Sequence, residues 1–277
     1  MAFKAAVCPS CGGQLQVPDD RDTVKCMYCG TDIIVRQAIQ AGSGVNIKNY
    51  IELAVTAQKA GNYQEAYNYY SKVLEIEIKN PEAWFGKARA AGWLSTIDDP
   101  RFPEVISGFQ NAIANISDKN KNNLQIQCGS TIYELSSAYF NLIYKYVTEN
   151  SSVDGVWEKY LARSEGLMSL LEFGHSLDPN NQNIITRIIQ ICKANLEGVA
   201  YIRRTSDGTT HDVRRVSESY VRVFTNKMNE YSTKLQKLDP NYKPPTIQRK
   251  YATNEIICIC CIVVIIIIFL MYVFTKH

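Results

Sequence analysis

Four cysteines near the N-terminus carry the clearest chemistry in this chain. Cys8 and Cys11 lie in CPSCGG, and Cys26 and Cys29 lie in CMYCGT, with fourteen residues between the inner pair. Two CxxC turns at this distance supply four thiolates to one tetrahedral ion, the donor set and spacing of a zinc site. Gly12, Gly13 and Gly30 follow the turns and permit their tight backbone. No histidine or carboxylate stands at ligand spacing, so the four sulfurs close the coordination sphere. One structural Zn2+ is expected, not a catalytic one. Redox chemistry of a single CxxC, or a rubredoxin-like iron site, fits the paired and closely spaced motifs less well.

Other reactive side chains are sparse. The three histidines, His175, His211 and His277, sit in no nucleophile, metal-hydrolase or phosphate-loop motif. His211 lies in the polar stretch Thr205–Asp212, which reads as solvated turn chemistry between two helices, and Asp98-Asp99-Pro100 likewise reads as a turn. The chain is expected not to be an enzyme, and no small-molecule substrate is evident. Arg203, Arg204, Arg214 and Arg215 flank the same loop and could cluster there. Three readings stand open for them: a solvated face, a membrane or lipid-contact patch, or a site for nucleic acid or an acidic partner. A nucleic-acid site would lose affinity steeply with salt, and no aromatic-interleaved basic run supports it.

Around the cysteines, Gln14–Val17 and Asp32–Val35 pattern as short strands, with Pro18, Asp19 and Asp20 turning the chain between them. Residues 1–40 are too poor in apolar side chains to fold without a staple. The segment resembles the zinc-ribbon modules found at the N-termini of many bacterial and archaeal proteins. That resemblance implies a small hairpin-bearing metal module and leaves its binding role open.

A break at Ala41-Gly42-Ser43-Gly44 marks a linker, 41–48, before a helical body expected over 49–243. Tyr50–Trp84 resembles a tetratricopeptide repeat. Gly61, Tyr63, Ala66, Tyr70 and Val73 fall at that family's signature positions, with Pro81 closing the second helix. Trp84–Asn115 looks like a degraded second copy, matching at Trp84, Ala88, Ala91, Phe109 and Ala112. Further on, LDPN at Leu177–Asn180 and again at Leu238–Asn241 is typical of the close of the repeat's second helix. Longer helix pairs are expected at Leu124–Tyr146 with Val153–Leu177, and at Ile184–Arg203 with Val213–Leu238. In the last helix Val213, Val216, Tyr220, Val223, Met228, Tyr231, Leu235 and Leu238 form a core-facing stripe. The resemblance implies stacked helix pairs whose concave side holds a peptide or protein partner.

The C-terminal segment fixes the expected setting. Ile256–Phe274 contains no charged residue, and a helix of that length spans a bilayer's ~30 Å hydrocarbon layer at ~1.5 Å per residue. The chain thus resembles the tail-anchored membrane proteins, with a juxtamembrane linker at 244–255 and a transmembrane helix at 256–274. Met1–Val7 lacks a signal-peptide core. Lys243, Arg249 and Lys250 on the body side, together with metal-binding thiols, place the body in the cytoplasm. Asn115 and Asn150 stand in glycosylation sequons that would matter only with the topology reversed. Cys258, Cys260 and Cys261 read as apolar filler, with acylation as the alternative.

Composition agrees with a folded body. Of 277 residues 46% are hydrophobic and 21% charged, and the net charge is +3. Residues 41–184 hold 12 basic and 16 acidic side chains, whereas 185–255 hold 13 and 7, so positive charge gathers beside the expected membrane. The chain is therefore expected to be mainly α: a zinc ribbon, a tetratricopeptide-like solenoid and one membrane helix. Its expected role is a membrane-anchored adaptor that binds a protein partner. The alternative is a membrane-tethered nucleic-acid-binding regulator using the ribbon and the basic patch.

Overall fold

The computed structural model describes residues 2–206 and 208–275; the side chains of 43–46, 205, 269 and 272–275 fall outside the description. Two compact units divide the chain, Met1–Gln125 and Ile126–His277.

The first unit begins with two antiparallel hairpins, β1 (Phe3–Val7) with β2 (Gln14–Pro18), and β3 (Thr23–Lys25) with β4 (Asp32–Ile34). Each hairpin carries one CxxC turn between its strands. The strands expected after each cysteine pair are present, and β1 and β3 precede the pairs as their partners. Alternation puts Ala6, Leu15, Val17 and Ile33 inward, where they meet Val35 and Ala38 in a core of small volume.

A break was expected at Ala41–Gly44, but the backbone is helical from Val35 to Lys59 (α1). Gly42 seats that helix on the ribbon, since a Cβ there would lie 2.7 Å from Ala6 Cα. Close approach, not a linker, explains this glycine; Ser43 and Gly44 have side-chain positions outside the description.

α1 continues into the expected helix pairs: α2 (Tyr63–Ile76), α3 (Pro81–Trp93) and α4 (Phe102–Asn115). Gly61 takes φ +78 between α1 and α2. Ala54, Ala66, Tyr70, Val73, Ala83 and Ala90 form the shared core. Pro81 opens α3 rather than closing α2, because α2 ends at Ile76 and Asn80 caps the next helix through Ala83 N–H at 2.9 Å. Proline suits that first-turn position, where no intrahelical N–H bond is lost.

α5 (Asp118–Asn150) leads into the second unit, followed by α6 (Val156–Leu177) and α7 (Gln182–Glu197). Both LDPN segments lie where expected, with Asp178 and Asp239 as the C-caps of α6 and the later α8. The helix expected to run on to Arg203 stops at Gly198, whose φ of +74 turns the chain. An antiparallel hairpin follows, β5 (Val199–Thr205) and β6 (Gly208–Arg214), before α8 (Glu218–Leu238). The stripe read along that helix holds in part: Met228, Tyr231 and Leu235 are buried, whereas Tyr220 and Val223 are exposed and Phe224 takes their place inside. Val213 belongs to β6.

Residues 244–252 carry no regular structure, and α9 (Thr253–Thr275) closes the chain. Ile256–Phe274 is thus helical as expected. Among the described residues no helix is long and apolar enough to cross a membrane. The described side chains of α9 run unbroken from Thr253 to Ile268; Phe269 and Tyr272–Phe274, the end of the expected span, lie outside them, as do Lys276 and His277.

Candidate metal centre

The two CxxC turns fold alike because each is locked by the same pair of backbone bonds. In the first, Cys8 N–H donates to Gly13 C=O at 2.9 Å and Gly12 N–H to Cys8 C=O at 2.8 Å. In the second, Cys26 N–H donates to Thr31 C=O and Gly30 N–H to Cys26 C=O, both at 2.9 Å. Gly12 and Gly30 share φ +74, a left-handed backbone that only glycine adopts without strain.

The result is a convergent set of sulfurs. The Sγ atoms of Cys8, Cys11, Cys26 and Cys29 lie within 4.8 Å of one another. Cys8 and Cys29 are 3.8 Å apart, and Cys11 and Cys26 are 3.7 Å apart. A tetrahedron with Zn–S bonds of ~2.3 Å has edges of ~3.8 Å, whereas a disulfide would need ~2.05 Å. All four are free thiols. Each turn places its first cysteine inward (Cys8 1%, Cys26 2% exposed) and its second at the surface.

The four thiols do not ionise alike in this cluster. The Thr31 hydroxyl, 3.4 Å away, is the first cause of a Cys29 thiol held down to about 6. At Cys8 burial resists ionisation, but the N–H groups of Cys11 and Ser10 together with the neighbouring Cys26 and Cys11 thiols lower the thiol overall. For Cys11 the Gly13 N–H favours the thiolate, yet neighbouring sulfurs, Cys29 foremost, push it up to about 12. Four thiolates cannot gather without a positive centre, and an ion bound by all four would supply it. The donor set and its spacing fit zinc. That ion would cross-link the two hairpins and leave no open coordination position.

Three of the four arginines stay together on the second unit, and Arg215 stands apart. Arg203, Arg204 and Arg214 line one shallow depression with Ser152, Asp154, Tyr201 and Ile202. Arg203 pairs with Asp212 at 2.9 Å, and Arg214 with Asp154 at 3.7 Å and with Ser151 C=O at 3.1 Å. Arg215 lies apart from that depression. Its guanidinium grips Glu255 through two bonds, at 2.5 and 2.7 Å, and donates to Lys250 C=O. Arg215, with Ala252 N–H at 2.8 Å, holds the Glu255 carboxyl down to about 2.

The stretch expected as a juxtamembrane linker is therefore fastened at several points. Gln248 N–H donates to Glu197 Oε1 at 2.9 Å, Lys250 Nζ to Gly198 C=O at 3.1 Å, and His211 N–H to Thr253 Oγ1 at 3.0 Å. Sequence reading missed the β5–β6 hairpin, whose His211 makes the last of these bonds, while Glu197 and Gly198 at the end of α7 make the other two. Its signal was the turn-prone sequence Thr205-Ser206-Asp207-Gly208 between two runs of similar length.

No protein-family model matches the chain, and no curated protein matches it in sequence. Among solved structures it is similar to YrrB, a TPR protein with an unusual peptide-binding site, at 13% identity over 70% of this chain and 86% of that one, TM-score 0.25. It is also similar to Pseudomonas aeruginosa pilF (12%, 73% and 95%, TM-score 0.29). A third is the Thermobaculum terrenum O-GlcNAc transferase (15%, TM-score 0.31); 56% of this chain aligns with 24% of that enzyme's length. Scores this low carry no argument about function. The helix-pair description rests on the packing itself.

Proposed function

We propose that this chain is a membrane-tethered adaptor whose helical body faces the cytoplasm and holds a protein partner beside the bilayer. The observation that carries the tether is the surface of α9. Ile262–Ile268 are seven consecutive residues, each between 47 and 64% exposed. Successive helical residues point ~100° apart, so every side of that stretch offers bare hydrocarbon. Water is a poor solvent for such a helix, and a bilayer is a good one. The partner-binding role is supported by stacked helix pairs in the first unit, and the zinc-linked hairpins cap that unit at its N-terminal end. Reducing conditions for the four thiols favour the cytoplasmic side.

Alkaline carbonate extraction of membranes from expressing cells tests the tether. Full-length protein should stay with the membranes, and protein lacking Ile256–His277 should be released. Equal release of both forms overturns the anchor. Nuclease-treated co-purification then tests the adaptor, because a protein companion should persist, whereas companions that vanish with nuclease point to nucleic acid.

A further inference from the structure

The bonds between hairpin and anchor set the height of β5–β6 above the membrane. Thr253 precedes Ile256 by three residues, ~4.5 Å along a helix. The polar layer on each face of a bilayer is roughly 5–8 Å thick. His211 N–H sits 3.0 Å from Thr253 Oγ1, and the Arg215 guanidinium is bonded to Glu255, directly before the apolar run. With α9 inserted from Ile256, both points of attachment fall within the headgroup layer. Ile202 pairs with His211 across the hairpin, about 5 Å away, so it lies within about one headgroup-layer thickness of that level.

The chemistry at that level suits a lipid surface. Ile202 is 53% exposed on β5. Asp212 and Asp154 neutralise Arg203 and Arg214, but Arg204 is exposed and has no ion-pair partner among the described residues. Arg249 is exposed too, and lies close enough to Glu255 to act on its charge. We infer that β5–β6 is a second membrane contact, where anionic phospholipid headgroups bind at Arg204 and Arg249 while Ile202 enters the layer. This rests on α9 lying in a bilayer. The bonds from Arg215, His211 and Lys250 then make the tether a bracket that holds the second unit in one orientation, not a free leash.

Photo-cross-linking in vesicles of phosphatidylcholine and phosphatidylglycerol in equal amounts tests it on the full chain. A benzophenone amino acid replaces Ile202 in one version and Ile257 in another. Position 202 should yield lipid adducts enriched in phosphatidylglycerol, and Arg204→Gln should reduce that preference by up to about fivefold, the weight of one basic residue at an anionic surface. Adducts at 257 but none at 202 overturn the hairpin contact and leave the anchor standing. Adducts at 202 in proportion to bulk lipid overturn the anionic site. Adducts at neither position, with protein that fails to float with the vesicles, remove the membrane reading itself.

Discussion

Gly86→Ala is a sharp test of the helix packing on which the adaptor reading depends. Gly86 lies mid-way along α3 and faces the Tyr70 ring of α2. A Cβ at Gly86 would fall 2.1 Å from Tyr70 Cζ, 2.4 Å from Cε2 and 2.5 Å from Cε1. Carbon atoms in contact need ~3.5–4.0 Å, so the helices must part or the ring must move by roughly 1.5 Å. The ring is only 3% exposed, and its hydroxyl donates to Gln58 Oε1 at 3.2 Å, so displacement breaks a bond as well. Adding a methyl group to such a contact costs ~1–3 kcal/mol. Helix propensity works the other way, since alanine is favoured over glycine by ~1 kcal/mol. The two effects have opposite signs, and the structure says that packing wins. Hydrogen exchange on the full chain in detergent should therefore speed up in both α2 and α3. In a Tyr70→Leu background the same Gly86→Ala change should become neutral or protective, because the obstructing ring has gone. Slower exchange for Gly86→Ala alone would refute the α2–α3 contact.

Further outcomes follow from the other sites. Cys8→Ser with Cys26→Ser removes the two inward sulfurs and should release about one zinc per chain by elemental analysis. Exchange should then rise in residues 1–40 while α6–α8 stay protected; full retention of metal sinks the site. His175 is half-buried against Tyr231, and its Nδ1 has no hydrogen-bond partner among the described residues. Burial first, then Lys234, holds it below its usual 6.5, although Glu230, Asp178 and Glu172 pull the other way. The unfolded chain therefore binds the extra proton first as pH falls through 6.5. Stability of the second unit should be full above that point and decline below it until the folded form also protonates. His175→Gln should flatten this slope, and an unchanged slope would assign it to another group.

How much could be read in advance depended on the range of the interactions. The four-cysteine cluster was legible because CxxC is a local motif whose turn geometry lies within six residues. The first two helix pairs were legible for a similar reason, as Gly61, Ala66 and Tyr70 each state a local steric demand. At Gly42 the same logic misled, since an isolated glycine marks either a break or a close approach. Only Ala6 on the neighbouring strand decides which. The β5–β6 hairpin was hidden because the apolar residues of β5 suit helix and strand equally over so short a run, while the polar β6 reads as a loop.

The sequence by itself determined the two CxxC turns with their four thiols, the predominance of helix and the unbroken apolar character of residues 256–274. Tertiary structure alone decided what became of the arginines. Four basic residues close in sequence read as one patch, yet strand pairing set Arg203 against Asp212, and the chain's return set Arg214 against Asp154 and Arg215 against Glu255. Counter-charges 9 to 60 residues distant leave no mark on a local pattern. They are brought together by the fold, because a guanidinium pulled from water is stable only where a carboxylate or carbonyl meets it.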